Sequence, residues 1–195
     1  IQKESPTGEY FMKHQILTKD YNSYGARRGN HEVMMRGTFA NIRIKNEIAP
    51  ETEGGFTKLY PEEKVMPVYN AVVEYKKRGT DLVVIGGKEY GTGSSRDWAA
   101  KGTKLLGIKA ILAESFERIH RSNLIGMGVL PLQFIDEMNR KNLNLKGPEL
   151  ISILNIEKGL NPSDHIDVEI KYQSGELKKI KMLCRIDTKN ELEYY

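Results

Sequence analysis

An apolar run that leads directly into a glycine-rich loop and a helix start constrains this chain more than any other feature. Residues 82–85 predict a strand, and the following residues 86–93, here called the glycine loop, contain four glycines. Glycine permits positive φ and lets a ligand approach the backbone closely. A helix is predicted from Asp97, with Ser94 or Ser95 as its N-cap, and its free amides form an anion site. The segment therefore predicts a strand, a ligand-contacting loop and a helix.

Two hydroxyls and an arginine follow the last glycine of this loop. They are Ser94, Ser95 and Arg96, and the planar guanidinium of an arginine can bind a carboxylate through two parallel hydrogen bonds. This combination indicates a site for a small acid, with a serine-capped structural turn as the open alternative. The pattern lacks the Gly-Lys-Ser/Thr of a P-loop, the third glycine of a dinucleotide loop and the Gly-x-Ser-x-Gly of a nucleophile elbow.

The remaining hydrophobic patterns predict an α/β fold. Helical spacing from residue 68 ends at Gly79, and residues 116–126 favour another helix. Strands are predicted at residues 38–44, 108–114, 129–134, 149–155, 166–172 and 177–186. A strand, a helix and a strand at this spacing form a parallel crossover unit, and residues 173–176 are typical of a hairpin turn. We expect a parallel core with a β-rich C-terminal tail.

The domain organisation is predicted from a change in composition near residue 30. Residues 1–30 are polar and rich in turn residues, and we expect an N-terminal arm with one short helix near residues 10–17. The arm would pack on a single domain of residues 31–195. The first residue, Ile1, leads us to expect a fragment of a longer protein or a processed chain.

Composition excludes several classes of protein. The chain has 195 residues, of which 39% are hydrophobic and 29% charged, as in a globular domain with a core. A single cysteine, Cys184, excludes an internal disulfide and a cysteine-ligated metal site within this chain. A formal charge of +4 permits acidic ligands or nucleic acid without requiring either. Without a long apolar run or a signal sequence, we expect no membrane contact and a cytoplasmic location.

Four motifs, in order along the chain, resemble the carboxy-terminal domain of aconitase, in the branch of bacterial aconitase A and the cytosolic iron regulatory proteins. They occupy residues 22–30, 35–43, 86–102 and 114–124. The resemblance implies a swivelling β/β/α domain of a hydro-lyase that interconverts citrate and isocitrate through cis-aconitate. It also implies a 4Fe-4S cluster held by cysteines of other domains of the same polypeptide. The isolated chain is then expected to bind no metal and to be inactive.

The same resemblance assigns roles to the residues that follow the glycine loop. Ser94 matches the catalytic base, which acts as an alkoxide, while Ser95 and Arg96 match residues that bind substrate oxygens and a carboxylate. Because a serine hydroxyl is a very weak acid, such a base needs loop amides, a helix start and a cation nearby. Gly91 and Gly93 would shape the loop that supports the site.

Other basic residues match the family less completely. His14 stands where the family often has a further substrate arginine, so this chain departs from the family pattern at that contact. Arg27 or Arg28 would replace it only if the fold brought them near the loop, and paired arginines more often bind surface carboxylates. Arg43 and Arg96 match positions that contact RNA in the iron regulatory proteins.

Two alternative functions therefore remain beside the aconitase domain. One is a free-standing small subunit of an isopropylmalate-isomerase type of hydro-lyase. The other is an RNA-binding regulatory domain of the iron regulatory protein type, for which basic residues alone are weak evidence. Among the remaining candidates, we expect a structural role for His120, a core position for Trp98 and burial for Cys184.

Overall fold

A computed structural model describes residues 1–24, 27, 30–39, 45–93 and 97–195, apart from the side chains of Asp97 and Tyr194. The chain divides into two compact units, residues 1–80 and residues 81–195. The predicted arm of residues 1–30 falls within the first unit, and its boundary stays a prediction. Of the strand predicted for residues 38–44, only Thr38 and Phe39 are described, and both lie in a turn.

Short helices and a hairpin make up the first unit. Its elements are α1 (Pro6–Lys13), α2 (His31–Gly37), β1 (Phe56–Leu59), β2 (Lys64–Pro67) and α3 (Val68–Lys77), with β1 and β2 antiparallel. The helix predicted near residues 10–17 is wrong in its bounds. It begins at Pro6 because the Ser5 side chain accepts a hydrogen bond from the Gly8 amide, and proline is compatible with the first turn.

Aromatic side chains and stacked arginines join the elements of the first unit. Phe11, Tyr21 and Val33 are buried together, with the two ring centroids 4.9 Å apart. The guanidinium of Arg36 lies between two tyrosine rings, 4.4 Å from the centroid of Tyr10 and 4.5 Å from that of Tyr69. These contacts connect α1, α2 and α3.

In the described part of the second unit, a six-stranded sheet is accompanied by three α-helices and one short 3-10 helix at Ile156–Lys158. Its elements are β3 (Leu82–Ile85), α4 (Asp97–Leu105), β4 (Ile108–Ala113), α5 (Arg118–Gly126), β5 (Leu130–Phe134), β6 (Leu150–Ile153), β7 (His165–Lys171), β8 (Leu177–Cys184) and α6 (Lys189–Tyr194). The strand order is β3-β4-β5-β8-β7-β6. The first three strands are parallel, and β8, β7 and β6 join them in antiparallel pairs. The predicted α/β class, with a parallel core and a β-rich tail, is confirmed.

The core of the second unit lies against both faces of β4. Ala110, Ile111, Leu112 and Ala113 are all 0% exposed, as expected for a parallel strand inside an α/β fold. The tail strands add their inward side chains to the same core, and the predicted burial of Cys184 is confirmed. Across the described ranges, no helix has the length and apolar character needed to cross a bilayer.

Candidate active site

The first half of the glycine loop continues the pairing of β3 with the chain segment that follows β4. The amide of Gly86 donates to the carbonyl of Leu112 at 2.8 Å, and the amide of Glu114 donates to the carbonyl of Gly87 at 3.1 Å. Backbone hydrogen bonds therefore fix the path of the first two loop residues, Gly86 and Gly87, at the carboxyl end of the parallel strands.

Tyr90 extends this pairing beyond the end of β4. Its amide donates to the carbonyl of Ser115 and its carbonyl accepts from the amide of Glu117, both at 2.9 Å. Its ring lies 6.2 Å from that of Phe116, edge to face, and 5.6 Å from that of His120. Burial raises the pKa of the Tyr90 hydroxyl far above its ordinary value, so this side chain stays neutral and acts as a packing group.

Left-handed backbone conformations occur at three positions of the loop. Gly91 has φ +95° and Gly93 has φ +84°, in agreement with the conformational freedom expected of these glycines. A Cβ atom at Gly91 would overlap the ring of His120, whereas one at Gly93 would meet open space. Glu89 has φ +51°, and its amide donates to the Ser115 hydroxyl oxygen at 2.7 Å.

A cap stabilises the start of α5, and charge pairing joins this helix to α6. The Glu117 carboxylate accepts a hydrogen bond from the His120 amide at 2.7 Å, and this bond lowers the pKa of Glu117. Arg121, nearly buried on the same helix, donates to the carbonyl of Arg185 at 2.7 Å and pairs with Glu191 of α6 at 3.0 Å. This pair was not predicted from the sequence, because its members are 70 residues apart.

The three residues expected to carry the chemistry, Ser94, Ser95 and Arg96, lie outside the described residues. What is described is the loop that leads to them and α4, which begins directly after them at Asp97. On its first turn, Trp98 is half-buried, and the ammonium of Lys101 lies 4.7 Å from its ring centroid. The predicted roles of Ser94, Ser95 and Arg96 stay predictions.

The other basic candidates belong to the first unit. Arg27 donates to the carbonyl of Asp20 at 2.6 Å, and its guanidinium lies 4.6 Å from the centroid of the Phe11 ring. The exposed His14 has its Nδ1 2.8 Å from the carbonyl oxygen of Tyr10. Arg28 and Arg43 lie outside the described residues.

A cavity of about 400 Å³ opens beside the glycine loop, at the carboxyl ends of β3, β4 and β5. It is lined by Lys88, Glu114, Ser115, Phe134, Glu137, Met138 and Asn139. Ligands of open α/β sheets bind outside the carboxyl ends of the parallel strands. Lys88 belongs to the glycine loop, which was predicted to contact a ligand. The other lining residues were not predicted as a site, although each follows or ends a predicted parallel strand, which was the available signal.

The donor atoms of this chain do not fit an iron-sulfur cluster. Such clusters are held by several cysteine thiolates, and the chain has one cysteine. Cys184 is 0% exposed on β8, and burial raises the pKa of its thiol. No group of three or more histidine, cysteine, aspartate or glutamate side chains is arranged for a metal ion in the part of the chain that is described.

The chain is similar to curated bacterial proteins over its whole length. It is 60% identical over 195 residues to aconitate hydratase A of Legionella pneumophila, with 100% of this chain and 22% of that protein covered. It is 57% identical to aconitate hydratase A of Pseudomonas aeruginosa, with 100% of this chain and 21% of that protein covered. The chain thus spans about a fifth of the length of these relatives.

One solved structure and one family model complete the comparison. The crystal structure of 3-isopropylmalate dehydratase from Methanocaldococcus jannaschii is matched over 63% of this chain and 70% of that one, with 23% identity and a TM-score of 0.37. The family model described as "Aconitase C-terminal domain" matches residues 7–137, which is more than half of the chain. This protein therefore belongs to the aconitase C-terminal domain family.

Proposed function

We propose that this chain is the C-terminal domain of an aconitate hydratase, a hydro-lyase that interconverts citrate and isocitrate through cis-aconitate. The observation that carries the proposal is the 60% identity to aconitate hydratase A across all 195 residues. The substrates and the other domains of the same polypeptide are parts of this proposal. So is a 4Fe-4S cluster, whose ligands would lie in those other domains.

In this proposal, the Ser94 alkoxide takes a proton from one substrate carbon, and the electron pair of that C–H bond forms the new double bond. The hydroxyl leaves the neighbouring carbon as hydroxide, with the electron pair of its C–O bond, so that one water is lost overall. Arg96 binds a substrate carboxylate through two parallel hydrogen bonds, and Ser95 contacts substrate oxygens. An alkoxide at Ser94 requires hydrogen-bond donors and positive charge held in place before reaction. The hydrogen-bonded path of the loop and the start of α4 at Asp97 support this arrangement.

The test is kinetic and uses the complete protein that contains this chain. We expect Ser94→Ala to abolish turnover while the protein stays folded, because alanine cannot accept the proton. Arg96→Lys should mainly raise KM, since an ammonium cannot reproduce the two parallel bonds of a guanidinium. Formation of cis-aconitate, followed by its ultraviolet absorbance, measures both effects.

A matched control is Ser152→Ala on β6, an exposed serine on the opposite edge of the sheet from β3, which should leave turnover unchanged. Retention of most of the rate by Ser94→Ala would show that the base assignment is wrong. An unchanged KM for Arg96→Lys would remove Arg96 from substrate binding. Neither a free-standing small subunit nor an RNA-binding regulator is better supported by the comparisons.

A further inference from the structure

We propose that residues 114–120, here called the support segment, hold the glycine loop in its active position, with Ser115 and His120 as positioning residues. The inference rests on the proposed function, because the loop leads directly to Ser94. It gives a role to a motif that the proposed chemistry leaves unused.

The hydroxyl of Ser115 holds a residue of the loop in an uncommon conformation. Glu89 is not a glycine, yet its φ of +51° is in the left-handed region, where other residues are uncommon. Its amide donates to the Ser115 hydroxyl oxygen at 2.7 Å, and the carbonyl of Ser115 accepts from the amide of Tyr90. Ser115 therefore binds the loop through both its side chain and its backbone.

His120 supports the loop from the side of α5. It is 3% exposed, and its ring occupies the space that a Cβ atom of Gly91 would take. The ring also packs against Tyr90, with centroids 5.6 Å apart. Because the ring is buried behind the backbone of the loop, His120 contacts Gly91, three residues before Ser94, rather than a substrate.

Backbone contacts alone do not account for this arrangement. Backbone pairing places Tyr90, and within the loop the Glu89 carbonyl accepts hydrogen bonds from the amide and the hydroxyl of Thr92. The Ser115 hydroxyl and the His120 ring are side-chain contacts that reach this turn from outside the loop. A displacement of about 1 Å at a reacting group costs roughly a hundredfold in rate. Loosening this turn should therefore lower kcat without removing any group that binds substrate.

The test compares Ser115→Ala and Ser115→Thr in the complete protein. We expect Ser115→Ala to lower kcat about tenfold, with KM changed less than twofold, because a displaced base affects the reacting step rather than the binding of substrate. Ser115→Thr should restore kcat to within about twofold, since it keeps the hydroxyl and its added methyl group can enter the cavity that Ser115 lines. Ser122→Ala, an exposed serine on α5, should change neither constant.

Hydrogen exchange provides a readout that does not depend on turnover. Amides of residues 86–93 should exchange at least fivefold faster in Ser115→Ala and in His120→Gln than in the unchanged protein. Ile125→Val, a buried change on α5 within the core cluster of the sheet, should lower stability without faster exchange in the loop or a lower kcat.

The outcomes separate the two proposals. If Ser94→Ala abolishes turnover while Ser115→Ala leaves both kcat and loop exchange unchanged, the support segment has no positioning role. If Ser94→Ala keeps its rate but Ser115→Ala speeds loop exchange, the proposed base fails and the support of the loop stands. Loss of kcat in Ile125→Val equal to that in Ser115→Ala would also overturn the inference, because general destabilisation would then explain both.

Discussion

A six-stranded sheet carries the core of the second unit, whereas the short helices of the first unit are joined largely by side-chain contacts. Among the residues that the structure describes, fourteen form one buried cluster around the sheet, including Leu112 and Met182. The buried cluster around α1 and α2 consists of Phe11, Tyr21 and Val33. The same chain therefore uses periodic strand pairing in one region and individual aromatic and arginine contacts in the other.

This difference explains which parts of the chain a sequence pattern predicts. Strands of a parallel sheet are covered by helices and so are apolar over several residues. β4 and β5 are largely buried and the edge strand β3 is half-buried, and all three are recognisable in the sequence as apolar runs. The two shortest α-helices of the first unit, α1 and α2, contain eight and seven residues. Helices this short have little stability of their own and depend on tertiary contacts such as those of Arg36. The following predictions test this contrast.

The largest effect is expected in the sheet. Leu112→Ala should lower the free energy of unfolding by about 3 kcal/mol, because it leaves a cavity at a position of β4 that is 0% exposed. Hydrogen exchange of peptides from β4 and β5 measures the loss. The control is Leu150→Ala on the edge strand β6, where leucine is 62% exposed and the change should cost less than about 0.5 kcal/mol. Equal losses in the two variants would contradict the importance of the central strand.

A smaller effect is expected from the stacked arginine of the first unit. Arg36→Lys should destabilise the contacts among α1, α2 and α3 by about 1 kcal/mol, because an ammonium cannot stack as a plane between two rings. Exchange of α2 amides measures the change. Arg78→Lys, which alters a more exposed ion pair with Glu62, should have a smaller effect. If Arg78→Lys were the more damaging variant, the stacking of Arg36 would not be what joins these helices.

The smallest effect is expected at the start of α5 and depends on pH. The pKa of Glu117 is lowered in the folded protein, first by the hydrogen bond from the His120 amide. The ionised carboxylate therefore stabilises the helix fully at pH values above 4.5, the ordinary pKa of this group. This stabilisation should decline as the pH falls from 4.5 through the lowered pKa. We expect faster exchange of the first α5 amides in Glu117→Gln at pH 7, and no difference from the unchanged protein below the lowered pKa. A difference that persists in acid would show that the carboxylate charge is not responsible.

Most elements of the second unit were predicted from the sequence. Helix α6 was not, and neither was the joining of the parallel strands and the tail strands in one sheet. The hairpin at residues 173–176 was predicted from its turn residues, and the amide of Tyr172 donates to the carbonyl of Glu176 there. The sequence did not show that β8 would pair with β5 and so extend the parallel sheet. Such pairing depends on contacts between residues about 50 positions apart, for which a local pattern carries no information.

The candidate site was predictable in one respect and hidden in another. The glycine loop was visible because only glycine adopts positive φ freely, and the conformation of Gly91 and Gly93 agrees with that reasoning. Two contacts could not be predicted from the sequence: the hydrogen bond between the Glu89 amide and the Ser115 hydroxyl, and the packing of the His120 ring against Gly91. Each joins residues that are 26 or more positions apart in the chain. His120 was expected to be structural, and its burial against the loop agrees with that expectation.

The sequence by itself determined the α/β class, the order of strand, glycine loop and helix, and the four motifs of the aconitase C-terminal domain family. These properties depend on residue type and short spacing, which are local. Only the tertiary structure decided which side chains support the loop, how Arg121 pairs with Glu191, and that the tail completes one sheet with the parallel strands. Those contacts join residues distant in the chain, and they form only when the burial of the core brings the residues together.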